Sequence, residues 1–202
     1  LKRIFLVRHG ESEWNSVRRL QGQADINLSE TGRAQARALR ATIRNLTPDQ
    51  ALTSDLKRAS ETAELLGFEH ASPSSRLREI DVGEWTGTPI ADLSKLNDGL
   101  YRRWRAGTYT PPGGESWNDF VARSSAAVGE ALQRGAERLL VVCHGGVIRA
   151  LLEHFITLPP HRLVPVGPAS LSIVAVRDLE AQDIRLELLN YRPDGPALDS
   201  PD

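Results

Sequence analysis

The uninterrupted apolar run Leu139-Leu140-Val141-Val142-Cys143 constrains the fold of this chain more than any other feature. A strand that is apolar on both faces must be covered on both, and a parallel sheet with helices above and below does this. Arg3 to Val7 reads as another short buried strand and Gln50 to Thr53 as a third. Ser29 caps a helix with an acidic first turn, along which Ala36, Leu39, Ile43 and Leu46 recur at steps of three and four. Asp55 to Leu66 reads as a helix stopped by Gly67. A third helix follows Ser116, with Trp117, Val121, Ser124, Val128 and Leu132 on one stripe, and stops at Gly135. Gly145 and Gly146 break that apolar strand, and Val147 to Ile156 reads as another helix. Ser170 to Val176 and Ile184 to Leu189 pattern as a terminal pair of strands, followed by a loose tail over the last ten residues.

Between Leu77 and Gly114 the periodicity fails, and Pro89, Gly107, Pro111, Pro112, Gly113 and Gly114 punctuate short helical pieces. The pattern is α/β, one domain over residues 1–202, with an irregular cap over about 81–114. The charge balance, 25 Lys and Arg against 26 Asp and Glu, lacks the basic excess of a dedicated nucleic-acid binder. The single cysteine, Cys143, excludes an intramolecular disulfide framework and favours a reducing compartment. The apolar run near the N-terminus, Ile4 to Val7, is too short for a signal-peptide core or a membrane span. These features together point to the cytoplasm. Oligomeric state is not legible.

Chemistry concentrates at two strand ends. The first strand runs into Arg8-His9-Gly10-Glu11-Ser12 and the long apolar strand into His144-Gly145-Gly146. In open α/β sheets ligands sit beyond the carboxyl ends of the strands, so the two histidines can face one crevice. Glycine after each lets backbone N–H groups approach an anion and helps expose the histidine at a helix N-terminus. Arg58 follows the end of another strand, and Glu79 opens the irregular segment. Cys143, before His144 in a buried strand, reads as a small core residue. Trp117 reads as core, and Trp85 and Trp104 as packing of the cap or walls of a pocket.

Four ordered motifs, spread from about Arg3 to Val176, carry a resemblance. They are Leu6-Val7-Arg8-His9-Gly10-Glu11-Ser12 with Trp14-Asn15, Thr53-Ser54-Asp55-Leu56-Lys57-Arg58-Ala59 with Thr62-Ala63, Leu77-Arg78-Glu79 with Gly83, Trp85 and Gly87, and His144-Gly145-Gly146. The chain resembles the histidine phosphatase superfamily, also called phosphoglycerate mutase-like. The resemblance implies a three-layer sandwich with a mostly parallel central sheet and a helical cap inserted over the carboxyl ends of its strands. It implies hydrolysis of small phosphomonoesters with His9 as nucleophile, Glu79 as proton donor and acceptor, and Arg8, Arg58 and His144 binding the phosphoryl group. Asn15, Gly145 and Gln23 join them on the substrate side. No metal or cofactor is implied, and the partner is a small phosphate ester rather than nucleic acid or membrane. Arginine suits this task, because its fork meets phosphate oxygens bidentately and lysine does not. Asp81 and Glu84 compete with Glu79, which alone occupies the family's Leu-x-Glu position.

Two alternatives follow from the same resemblance. One is a cofactor-dependent phosphoglycerate mutase, whose relatives carry a longer cap with a basic pair; here Arg102-Arg103 is the one such feature. The short interval between Glu79 and Pro111-Pro112-Gly113-Gly114-Glu115-Ser116 instead resembles the phosphatase branches, including broad-specificity and α-ribazole phosphate phosphatases. Trp85-Thr86-Gly87 departs from the Trp-Glu-Gly usual there, which weakens transfer of substrate specificity. The other is a catalytically silent phosphate-binding module, disfavoured because His9, His144, Glu79, Arg8 and Arg58 are all present.

Overall fold

The computed structural model describes residues 1–96 and 99–196. Six strands, β1 (Lys2–Arg8), β2 (Gln50–Ser54), β3 (Ser72–Ser74), β4 (Arg138–Cys143), β5 (Leu171–Asp178) and β6 (Asp183–Tyr191), form one sheet. Their order is β3-β2-β4-β1-β5-β6. The first four are parallel, β5 runs antiparallel to β1, and β6 turns back on β5. The helices are α1 (Glu13–Ser16), α2 (Glu30–Asn45), α3 (Lys57–Leu66), α4 (Ile90–Lys95), α5 (Leu100–Arg105), α6 (Trp117–Gln133) and α7 (Gly145–Ile156).

The apolar run of β4 behaves as a strand covered on both sides. Leu139, Val141 and Cys143 join Ile4 and Leu6 of β1 in a core with Val128 and Leu132 of α6 and Val147 and Leu151 of α7. Leu140 and Val142 join Phe5 and Val7 in the opposite core, under Leu39 and Ile43 of α2 and Ala63 and Leu66 of α3. The period-two alternation of the strands thus divides their side chains between two helical layers. Central β4 lies between β1 and β2, which brings the carboxyl ends of three strands together. Among the described residues no helix is long and apolar enough to cross a membrane.

Local signals set most boundaries. The Ser29 hydroxyl accepts the Gly32 N–H at 3.0 Å and starts α2, and Gly67, at φ 92°, ends α3 in the left-handed conformation. The last helical stripe also holds, with Phe120 added to its buried face. Four expectations shift. Helix α3 begins at Lys57 rather than Asp55, whose carboxylate instead takes Arg78 Nε at 2.8 Å and Nη2 at 2.6 Å. Helix α7 begins at Gly145 rather than Val147, so the two glycines that follow the end of β4 are its first two residues. The four-residue α1 and three-residue β3 carry no apolar periodicity and are additional elements. The terminal hairpin extends to Tyr191, and of the expected tail residues 197–202 lie outside the described ones.

The irregular segment is a chain of short turns closing on an aromatic cluster. Trp85 stacks near Trp104 (ring centroids 6.0 Å) and Tyr109 (5.6 Å), and Tyr101 near Trp104 (5.6 Å). Arg102 and Arg103 stay exposed on α5. Because Leu39 is fully buried between α2 and the sheet, Leu39→Ala is expected to lower unfolding stability by about 2–5 kcal/mol. Urea unfolding of both proteins measures this, and a loss under about 1 kcal/mol would contradict a tightly packed α2 layer.

Candidate active site

The carboxyl ends of β1, β2 and β4 open into a pocket of about 520 Å³. His9, Arg58, Glu79 and Gly146 line it, together with Leu20, Gln21, Gly22, Ile80, Val82, Trp104, Trp117 and Arg149. His9 continues the sheet ladder, its N–H donating to the Cys143 carbonyl at 2.9 Å and its carbonyl accepting from Ala169 at 3.0 Å. Its ring Nδ1 lies 2.6 Å from the Gly10 carbonyl oxygen. A carbonyl only accepts, so Nδ1 carries the proton and Nε2 keeps the lone pair. Burial, then the Arg58 and Arg8 charges, hold the His9 pKa well below its usual value, and the ring is neutral near pH 7.

Behind His9 stand Arg8 and His144, 2% and 0% exposed. The His9 and His144 rings meet edge to face with centroids 5.1 Å apart. His144 Nε2 is 2.8 Å from the Ser54 hydroxyl, whereas its buried Nδ1 has no partner. Burial, followed by the Arg58 charge, pushes the His144 pKa down as well. Arg8 Nη1 donates to the Val166 carbonyl at 2.6 Å. Arg58 Nη1 and Nη2 donate to the carbonyls of Ala24 (2.6 Å) and Gly22 (2.8 Å). Burial lowers both guanidinium pKa values to about 10, so both remain cationic near neutrality.

Glu79 faces these cations from the other wall. Its Oε1 accepts from Ile80 N–H at 2.9 Å and its Oε2 from Gly146 N–H at 2.9 Å. A Cβ on Gly146 would lie 2.1 Å from Glu79 Oε1, so glycine there makes room for the carboxylate at the start of α7. Arg123 of α6 fixes the segment that carries Glu79, donating to the carbonyls of Arg76 (2.8 Å), Arg78 (2.8 Å) and Glu79 (3.0 Å) while pairing with Glu115 at 2.6 Å.

The remaining expected residues fall nearby in different roles. Asn15 is buried in a capping box, with Oδ1 accepting Ser12 N–H at 3.0 Å. Gly145 packs against the Arg8 side chain, and its N–H belongs to the first-turn donors that α7 leaves without intrahelical partners. Gln23 stands outside the pocket wall and donates to the Glu79 carbonyl at 3.3 Å; Gln21 is the lining glutamine. The Gly10 N–H donates to the Thr62 hydroxyl at 3.1 Å. A Cβ there would lie 2.4 Å from the Gly32 carbonyl oxygen, so the residue permits α2 to sit against the loop. Neither histidine is exposed, and only His144 adjoins a helix N-terminus. Trp117 packs on the core and also lines the pocket. Sequence reasoning missed Gln21, Arg123 and Arg149. Arg149 carried a usable signal, since it follows Gly145 and Gly146 by four and three residues and shares their helix face. Among the described residues no group of three or more His, Cys, Asp or Glu side chains is arranged to hold a metal ion.

The depressed histidine pKa values make stability depend on pH. Below the unfolded-state pKa of about 6.5 the unfolded chain binds protons that folded His9 and His144 refuse, so stability falls as pH drops and levels off above about 7. Each refused proton contributes about 1.4 kcal/mol per pH unit. Urea unfolding at pH 7.5, 6.5 and 5.5 is expected to show this decline, and a shallower one in His9→Asn. A flat profile in the native sequence would reject buried neutral histidines.

A family model described as histidine phosphatase superfamily (branch 1) matches residues 4–191. The glucosyl-3-phosphoglycerate phosphatase of Mycolicibacterium vanbaalenii is 36% identical over 171 residues, covering 79% of this chain and 76% of that protein. A probable phosphoglycerate mutase GpmB of Salmonella choleraesuis is 35% identical over 162 residues, 77% of this chain and 75% of that protein. The solved structure of the mycobacterial glucosyl-3-phosphoglycerate phosphatase Rv2419c with VO3 aligns at a TM-score of 0.86 and 33% identity, covering 94% of this chain and 99% of that one.

Proposed function

The chain belongs to the histidine phosphatase superfamily and is a phosphatase of that type, and from this premise we propose that it hydrolyses small phosphomonoesters through a phosphohistidine formed on His9, without a metal. The observation that carries the reading is the Nδ1–Gly10 contact of 2.6 Å. It directs the proton to one ring nitrogen of a neutral, buried imidazole and leaves Nε2 as an oriented nucleophile.

In the first step Nε2 attacks phosphorus in line, the bond from phosphorus to the ester oxygen breaks, and Glu79 passes a proton to the departing alkoxide. In the second, water attacks the phosphohistidine, Glu79 takes the water's proton, and the bond from phosphorus to nitrogen breaks. Neutral His9 and inorganic phosphate result. Charge in the loose transition state gathers on the equatorial oxygens, where Arg8 and Arg58 are held in advance by backbone carbonyls. A bound dianion favours protonation of His144, which then acts as a further donor. Asn15 and the Gly145 N–H supply neutral donors, and Gln23 supports the Glu79 backbone. One domain with its cap over 81–114 and a cytoplasmic setting complete the proposal.

A mutase reading loses its one supporting feature, because Arg102 and Arg103 point to solvent rather than lining the pocket. His9→Ala is expected to abolish phosphate release from an aryl phosphate, and acid-quenched reactions with labelled ester should retain no label on the protein. Appreciable turnover would remove His9 as nucleophile. Glu79→Gln is expected to slow alkyl phosphates by about 100-fold or more, within the range of general acid catalysis, and activated aryl phosphates much less. Equal slowing of both classes would assign the proton to another group.

A further inference from the structure

The Pro111-Pro112-Gly113-Gly114-Glu115 element has no part in the chemistry above, and neither Glu115 nor Arg123 lines the pocket. Both nevertheless converge on the segment that carries Glu79. Residues 78–82 belong to no helix or strand, so partners for their backbone groups must come from elsewhere. Arg123 supplies several. Its Nη1 donates to the carbonyls of Arg76 and Arg78, both at 2.8 Å, and its Nη2 to that of Glu79 at 3.0 Å. The other side of the guanidinium meets Glu115 as a two-pronged pair, Nε to Oε1 at 2.6 Å and Nη2 to Oε2 at 2.8 Å. Every N–H of the fork is thereby used. The ring of Phe120, one turn earlier on α6, lies 4.8 Å from the guanidinium carbon and packs against it.

The loop is also joined to the segment directly. Glu115 N–H donates to the Asp81 carbonyl at 2.9 Å, and its Oε2 accepts Asp81 N–H at 3.3 Å. Glu84 N–H donates to the Pro112 carbonyl at 3.0 Å. The two strips of backbone lie so close that a Cβ on Gly83 would stand 2.1 Å from the Pro112 oxygen, and one on Gly114 2.9 Å from the Asp81 oxygen. Glu79 is thus held on both sides, by Arg123 at and before it and by Glu115 after it. A proton passes to a leaving oxygen only across hydrogen-bond distance, so general acid catalysis tolerates little displacement of the backbone that carries the acid. Arg8 and Arg58 take their orientation from other carbonyls, those of Val166, Gly22 and Ala24. The brace therefore bears on proton transfer rather than on holding the phosphoryl group.

We propose that Arg123 and Glu115 are positioning residues for proton transfer, which act on the reaction by fixing the backbone that presents the Glu79 carboxyl group to the leaving oxygen. This rests on the phosphatase reading above, with Glu79 as the acid. Two conservative variants test it. Arg123→Lys keeps the positive charge, which also helps to hold the His144 pKa down, and gives up the planar fork. Glu115→Asp keeps both charges and withdraws the carboxylate by one methylene. Each is measured on an aryl phosphate and on the alkyl phosphate that the native protein hydrolyses best, alone and combined with Glu79→Gln. Each is expected to lower kcat for the alkyl ester by about tenfold or more and for the aryl ester by less than about threefold, with KM little changed. Added to Glu79→Gln, neither should cost more than about a further twofold, because the group that they position no longer transfers a proton. Equal slowing of both esters, or an undiminished further loss on top of Glu79→Gln, overturns the proposal, assigns the pair to holding the cap alone and leaves the phosphatase reading intact. Should Arg123→Lys not fold, Glu115→Asp decides by the same comparisons. Native protein that hydrolyses no phosphomonoester overturns both readings.

Discussion

Everything at this site depends on burying guanidinium groups against backbone carbonyls. Arg8 donates to the carbonyl of Val166, Arg58 to those of Gly22 and Ala24, and Arg149 to those of Arg105 and Pro160. Carbonyl dipoles fix the direction of each fork, and each guanidinium stays cationic near neutrality, so the pocket is charged for an anion before one arrives. Preorganisation of this kind avoids rearrangement when charge develops on phosphoryl oxygens. Burial first, and these charges after it, keep His9 and His144 neutral, the state in which an imidazole nitrogen can attack. Electrostatic binding and nucleophile activation are one arrangement here.

The fold supplies such an environment because three parallel strands end side by side. β4 lies between β1 and β2, and their carboxyl ends deliver His144, the Arg8-His9 pair and the Ser54-to-Arg58 turn to one place. Glu79 has no strand to deliver it. It sits in an irregular segment and is positioned by contacts from distant parts of the chain: Arg123 gathers three of its backbone carbonyls, Arg78 anchors on Asp55, and Gly146 yields space and an N–H. Each would act on the acid through geometry rather than by touching substrate.

Much of this was legible in the sequence, for reasons that differ by residue. Strand β4 announced itself by five consecutive apolar residues, and α2 by its serine cap and stripe of Ala36, Leu39 and Ile43, since one-dimensional periodicity reports burial directly. The short β3 and α1 have too few residues to show a period. The glycines were located, but not the contacts that require them: Gly10 and Gly146 leave room for other parts of the chain, Gly32 and Glu79. Close approaches between segments far apart in sequence leave no local trace. Arg123 escaped for the same reason, since an arginine in a helix reads as a solvated charge until its neighbours are known; Arg149 left only its place on the helix face of Gly145 and Gly146.

The sequence by itself therefore determined the layered α/β scaffold, the four motifs and the residue types needed for phosphoryl chemistry, because these depend on local pattern and on intrinsic chemical capacity. The tertiary structure decided which charges are desolvated, which nitrogen of His9 holds the proton, what fixes Glu79, and that a third buried arginine shares the pocket. Burial and most of these hydrogen bonds bring together residues distant in sequence, and even the contact of His9 with its neighbour Gly10 depends on conformation rather than on residue type.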